Sequence, residues 1–235
     1  MKILELFAGT RSIGRAFERI GLERESIYSI EIDTRHRDID WYTDINRIEV
    51  GDIVNRFGIP DVAWASPPCQ SYSVASIGHH RFKGRDGFLY PKTDFARQSD
   101  LLLEHTVKLI EGLKELNPKL IWFIENPMGA MRKSKTMQHL PRYTITYCQY
   151  GDSRMKPTDI WTNYKNPEFK PPCHYGDTCH EKAPRGSKTG TQGLNGAVER
   201  SRIPDGFCDH IAEICTRHEY QCDNGKQSNL IGWCV

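Results

Sequence analysis

Net charge is what this chain has least of: 32 lysines and arginines nearly cancel 30 aspartates and glutamates, leaving +2. That balance excludes a uniformly basic nucleic-acid coat or an acidic tail as the organising feature. Long apolar runs are missing too, none approaching the roughly 18–20 residues that span a bilayer. No membrane association is therefore expected. The opening residues, Met1-Lys2-Ile3-Leu4-Glu5-Leu6-Phe7, lack a cleavable leader pattern and read as a strand from the outset. A cytoplasmic location follows, and the eight cysteines are expected as free thiols in a reducing compartment. Internal repeats and low-complexity tracts are absent as well, which excludes solenoids and arrays.

What is present is an α/β alternation over the first two thirds of the chain. Strands are expected at Ile3–Phe7, Ser26–Ile32, Asp61–Ala65, Leu120–Ile124, Tyr143–Tyr147 and Asp159–Thr162. Helices are expected from Ser12 to about Ile20, over 98–116 (Leu101, Leu102, His105, Leu109, Leu113 and Leu116 share a face), and from Pro204 to about Glu219. The texture changes after about Asn163. Residues 164–199 hold Pro167, Pro171, Pro172, Pro184 and several glycines with little periodicity. The expected organisation is a catalytic domain over 1–163, a small irregular segment over 164–199, and a C-terminal helix over 200–235 returning to the first domain.

In open α/β sheets, ligands sit at the carboxyl ends of the strands, so the polar residues there are read together. The first strand ends in Phe7-Ala8-Gly9-Thr10, a turn that brings backbone close to a cofactor. The second delivers Glu31, spaced to hold ribose hydroxyls, and Thr43-Asp44-Ile45-Asn46 offers a carboxylate for an adenine amino group. Each acid alone reads equally as a surface or capping residue; in succession they favour a nucleoside-bearing cofactor. After Asp61–Ala65 comes Ser66-Pro67-Pro68-Cys69-Gln70, in which two prolines fix the direction of the cysteine. Nearby basic groups favour its thiolate. Glu125-Asn126-Pro127 closes another strand with a carboxyl group that could act as a proton donor.

Two basic stretches flank these motifs. Residues 79–97 carry His79, His80, Arg81, Lys83, Arg85, Lys92 and Arg97, and residues 132–156 carry Arg132, Lys133, Lys135, Arg142, Arg154 and Lys156. Such runs are usually solvated faces; their position beside the motifs favours nucleic acid. Cys173-His174 and Cys179-His180 raise the question of zinc on Cys173, Cys179 and His180. Four ligands so close in sequence strain tetrahedral closure and match no common finger, so the expectation is no metal.

Taken in order, LELFAGTRSIG (4–14), YSIEID (28–33), YTDIN (42–46), ASPPCQSYS (65–73), FIENP (123–127), YCQYGDSRMKPTDIW (147–161) and RSRIP (200–204) resemble the motifs of the DNA cytosine-5 methyltransferase family, most of all its short phage-type branch. The resemblance implies a Rossmann-like, S-adenosyl-L-methionine (SAM)-dependent fold, and a monomer acting on double-stranded DNA in a bacterial cell or phage-infected host. It implies Cys69 as nucleophile, Glu125 as proton donor to cytosine N3, Asn126 as a support for the Cys69 loop, and Lys156 in place of a family arginine. Phe7, Gly9, Thr10, Glu31, Ile32, Asp44, Ile45 and Pro67 would contact SAM. Gln70, Ser71, Arg81, Arg154, Arg185 and Lys188 would contact DNA. Residues 71–92 would be a mobile loop closing over it, and 164–199 the target-recognition segment.

The sequence departs from the family pattern in places. ENP replaces ENV, and Lys156 and Thr158 stand where two arginines are usual, with Arg154 the candidate substitute. Arg11 lies in the cofactor turn, where it either alters cofactor contacts or points to solvent. Rival readings are an amino (N4-cytosine or N6-adenine) methyltransferase, since Ser66-Pro67-Pro68 also begins that signature; a cytosine-5 enzyme acting on RNA or a free nucleotide; and a non-catalytic DNA-binding relative. The first requires an aromatic residue where Cys69 stands.

Overall fold

A computed structural model describes residues 1–174, 176–182 and 201–228, with side chains described as far as residue 217. Strands β1 (Ile3–Leu6), β2 (Ile27–Glu31), β3 (Trp41–Tyr42) and β4 (Val62–Ala65) alternate with helices α1 (Ser12–Arg19) and α2 (Val50–Phe57). A short helix α3 (Ile77–His80) and a hairpin of β5 (Arg81–Lys83) and β6 (Leu89–Pro91) precede the long helix α4 (Asp94–Leu116). Strands β7 (Ile121–Pro127), β8 (Arg142–Thr146) and β9 (Pro157–Thr162) follow, and helix α5 (Asp205–Ser228) ends the described chain.

The main sheet has seven strands in the order β3-β2-β1-β4-β7-β9-β8. The pairings make β9 the one strand of this sheet that runs against the others. Strand order reverses between β1 and β4, and this switch point opens a crevice at the carboxyl ends of the strands. The chain has the α/β, Rossmann-like architecture expected of it.

Burial on both faces explains why the strands read as near-continuous apolar runs. Period-two alternation sends Leu4, Leu6, Ala63, Ala65, Trp122 and Ile124 towards α2 and α4. Ile3, Val62, Trp64, Ile121 and Phe123 go the other way, into a core shared with α1 and α5. Phe207 of α5 is the hub of that second core, with ring contacts to Trp64 at 6.2 Å, Tyr150 at 5.0 Å and Phe169 at 5.6 Å. Arg19 of α1 also meets Asp209 of α5 at 2.5 Å.

The described part of the irregular segment lies against this core. Tyr164 Oη donates to the Ile214 carbonyl (3.3 Å) and Lys170 N donates to Tyr150 Oη (2.8 Å). Strand and helix positions expected from the sequence are present within a few residues, except that the last helix runs on to Ser228 where an end near Glu219 was expected. Elements α2, α3, β3 and the hairpin were not expected. The hairpin occupies the stretch read as a loop, because buried Arg81 anchors its base. Among the described residues no helix is long and apolar enough to cross a membrane.

Candidate active site

A cleft of about 410 Å³ opens at the strand switch point, floored by the ends of β1, β2, β4 and β7. At one end the backbone turns sharply after β1, with Phe7 at φ 57° and Gly9 at φ 50°, the left-handed region that glycine enters without penalty. A Cβ on Gly9 would meet nothing within 4 Å, so the glycine serves this backbone conformation. Gly9 N donates to Glu31 Oε2 at 2.9 Å, while Ile32 N (2.8 Å) and Asp33 N (3.0 Å) donate to Oε1. These three bonds fix the carboxylate between two strand ends and leave it lone pairs for a ligand hydroxyl. Asp44 accepts from Asn46 N at 3.0 Å, capping the short turn that carries Ile45 into the core. Thr10, Ile32 and Pro67 complete the expected cofactor set, all eight members of which line the cleft.

The other end of the cleft holds Cys69, Gln70, Glu125, Asn126 and Lys156. The Ser66–Cys69 turn is braced from three sides. Trp64 Nε1 donates to Ser66 Oγ (2.8 Å), Asn126 Nδ2 donates to the Pro67 carbonyl (2.9 Å), and Tyr72 N closes on the Cys69 carbonyl (3.0 Å). Glu125 is only 6% exposed and accepts from Tyr147 Oη at 2.8 Å. Burial pushes its carboxyl above the usual range, against the pull of Lys156 and of hydrogen bonds from Tyr147 and Ser66. Lys156 shifts the opposite way, burial lowering it while Glu125 opposes. Its Nζ lies 4.6 Å from the centroid of the Tyr147 ring. Asn126 Oδ1 is buried and has no partner among the described residues, so it is an acceptor available to a ligand.

Three of the expected DNA contacts are buried and held by partners within the chain. Arg81 (3% exposed) and Ser71 (1%) bond to one another, and Arg81 also reaches Asp100 at 2.7 Å and lies 4.1 Å from the centroid of the Tyr72 ring. They form a clamp beneath the hairpin. Arg154 is buried against Asp152, its Nε 2.8 Å from Oδ1, and is not among the residues that line the cleft, although its charge acts on Lys156, which does. Thr158 is fully buried and donates to the Lys156 carbonyl at 3.1 Å. Arg11 is neither in solvent nor among the cleft-lining residues: its Nε donates to Ser29 Oγ (3.0 Å) and its Nη2 to Glu18 (2.5 Å). The second basic stretch is partly neutralised, since buried Asp159 binds Arg132 and lies 3.9 Å from Arg142. Arg185 and Lys188 lie outside the described residues.

Several side chains escaped the sequence reading. Glu5, in the middle of β1, lines the cleft and accepts from Ile13 N and Gly14 N, both at 3.2 Å, at the start of α1. Trp64, Leu102, Ser201 and Ile203 add further walls. Cys148 packs against Cys173, Cys179 and His180, which lie well downstream of it in sequence, the first two by 25 and 31 residues, a juxtaposition that spacing alone did not disclose.

The C-5 cytosine-specific DNA methylase family profile matches residues 1–144. A "Probable DNA (cytosine-5)-methyltransferase" of Frog virus 3 (isolate Goorha) is 28% identical over 233 residues, spanning 92% of this chain and 100% of the viral protein. Among solved structures, the S. pombe Dnmt2 methyltransferase aligns with TM-score 0.48 and 14% identity over 70% of this chain and 50% of its own. A mutant of Spodoptera frugiperda DNMT2 aligns with TM-score 0.45 and 17% identity over the same shares. The chain thus spans half the length of those two solved proteins.

Proposed function

The chain belongs to the C-5 cytosine-specific DNA methylase family, and from that membership we propose that it methylates C5 of a cytosine flipped out of duplex DNA, through a transient bond from Cys69 to C6. The observation that carries this reading is the meeting of Cys69, Glu125 and Lys156 in one cleft whose far end holds Glu31 and Asp44. The donor set fits SAM: Glu31 and Asp44 accept from ribose and adenine, and the Phe7–Thr10 turn gives backbone access. Bound there, SAM supplies an electrophilic methyl group.

In this reading the Cys69 thiolate adds to C6 of the cytosine, favoured by the positive charge of Lys156. Glu125, whose carboxyl burial raises above the usual range, is the group that gives a proton to N3, so the electron pair displaced by the thiolate comes to rest on C5. Once C5 carries its new methyl group it gives up its proton to solvent water, the electron pair of that bond restores the C5–C6 double bond as Cys69 leaves as thiolate, and Glu125 recovers the N3 proton. Asn126 positions the nucleophile by holding the Pro67 carbonyl, and residues 164–199 are the segment proposed to choose the target sequence.

The test is incubation with SAM and duplex DNA carrying 5-fluorocytosine, which has no C5 proton to lose. A covalent complex that survives denaturation and is missing in Cys69→Ser is the expected outcome. Normal methylation by Cys69→Ser would overturn the assignment, as would transfer to RNA or dCMP in preference to DNA.

A further inference from the structure

We propose that Cys148, Cys173, Cys179 and His180 bind one zinc ion in a closed structural site that fastens the start of the irregular segment to the end of β8. Their ligand atoms all lie within 4.8 Å of one another. Zn–S bonds near 2.3 Å and a Zn–N bond near 2.0 Å make a tetrahedron with edges of roughly 3.8 Å (S···S) and roughly 3.6 Å (S···N). The corresponding separations are 3.6 Å for Cys179–Cys148, 3.7 Å for Cys173–His180 Nδ1 and 3.6 Å for Cys179–His180 Nδ1. Cys148–Cys173, at 3.1 Å, has to open slightly to admit the ion.

Three sulfurs and an imidazole converging on one point match the ligand set zinc prefers, and four protein ligands leave no open position for catalysis. A disulfide is a poorer account. It would join two sulfurs at about 2.0 Å and leave the third thiol and His180 facing them without purpose. The objection that four neighbours in sequence strain tetrahedral closure also disappears. Cys148 takes the place of His174, and it enters from 25 residues upstream of Cys173.

The surroundings suit a thiolate cluster. Gln149 Nε2 points at Cys179 Sγ from 3.6 Å, and Cys173 N is tethered to Thr146 Oγ1 at 2.9 Å. The consequence reaches the cleft, because Cys148 directly follows Tyr147, whose hydroxyl holds Glu125. The ion would therefore fix both the segment that leaves the sheet at residue 164 and the residue that orients the proposed acid.

Elemental analysis of the full chain purified under reducing conditions tests the site. About one zinc per chain is expected, with loss in Cys148→Ser and Cys179→Ser and retention in His174→Ala, whose exposed ring lies outside the cluster. Cobalt substitution of the unaltered chain gives a readout that does not depend on variants folding: strong thiolate-to-cobalt charge transfer and tetrahedral d–d bands are expected. Absence of both zinc and the cobalt spectrum in supplemented protein would overturn the proposal. So would full zinc retention in Cys179→Ser, or a Cys148–Cys173 disulfide in the reduced preparation.

Discussion

Glu5 gives the sharpest quantitative expectation because its surroundings oppose one another. Its side chain points from β1 towards α1, where two backbone N–H groups and Arg11 favour the carboxylate. Complete burial opposes them and prevails, raising the carboxyl from the ordinary 4.5 to about 7. In the unfolded chain the group reverts to the ordinary value. The folded state therefore binds the proton more tightly, and its stability advantage is complete below about pH 4.5 and lost as pH rises through about 7. Integrated over the window, the loss is about 3 kcal/mol, of which about 2.5 kcal/mol falls between about pH 5 and about pH 8.

Other groups titrate there too, so the measurement is a difference. Urea unfolding of the native chain and Glu5→Gln, without cofactor, should give stability curves that converge or cross as pH rises. The native chain should lose about 2.5 kcal/mol relative to the variant between about pH 5 and about pH 8. Glutamine accepts one of the two backbone bonds, so the variant starts with a fixed deficit and the slope is what counts. A difference constant to within about 0.5 kcal/mol would refute the reasoning, since the helix N-terminus and Arg11 would then outweigh burial and keep Glu5 ionised throughout.

Two further substitutions probe the Cys69–Glu125 end. In Tyr147→Phe, Glu125 loses a hydrogen bond that favours its charged form, so its pKa rises further. The alkaline limb of the kcat/KM profile should move up by about one pH unit, as a bond of about 1.5 kcal/mol implies; an unmoved limb would remove Glu125 from the proton step. In Gly129→Ala, the new methyl would sit 2.3 Å from the Tyr72 carbonyl oxygen, a backbone atom three residues beyond Cys69. A loss of about 1–3 kcal/mol with a fall in kcat is expected, whereas Gly51→Ala on α2, with nothing within 4 Å, should leave activity alone and stabilise by up to about 1 kcal/mol.

The parts of the site that were legible are those written locally, at strand ends. A glycine at positive φ, an acid that ends β2, a double proline before Cys69 and an acid–amide pair in the last residues of β7 each announce themselves within a few residues. Their convergence follows from parallel-strand topology. What could not be read depends on partners distant in sequence. Arg81 was read as a DNA contact, whereas in the structure Asp100 and Ser71 enclose it. Arg154 and Arg132 looked available until Asp152 and Asp159 claimed them. Glu5 was not singled out, because nothing near it in sequence says that α1 begins above it. Cys148 was one thiol of eight, and only the return of residues 173–180 to the end of β8 gives it company.

On the proposed reading, the two halves of the chemistry place opposite demands on Lys156. Cys69 must be a thiolate, which a nearby cation favours; Glu125 must hold a proton, which the same cation discourages. Both interactions are present, since Cys69 and Glu125 each act on Lys156 in the sense of keeping it charged. Burial resolves the conflict. It raises Glu125 and lowers Lys156, which brings the proton affinities of the two groups closer together than in water. An arginine at position 156 could not enter that competition, because its guanidinium does not give up its proton. Lysine at this position thus makes the protonation of Glu125 a property of the pair, and Tyr147, which bonds to Glu125 and lies beneath Lys156, is the residue through which the rest of the fold can set it.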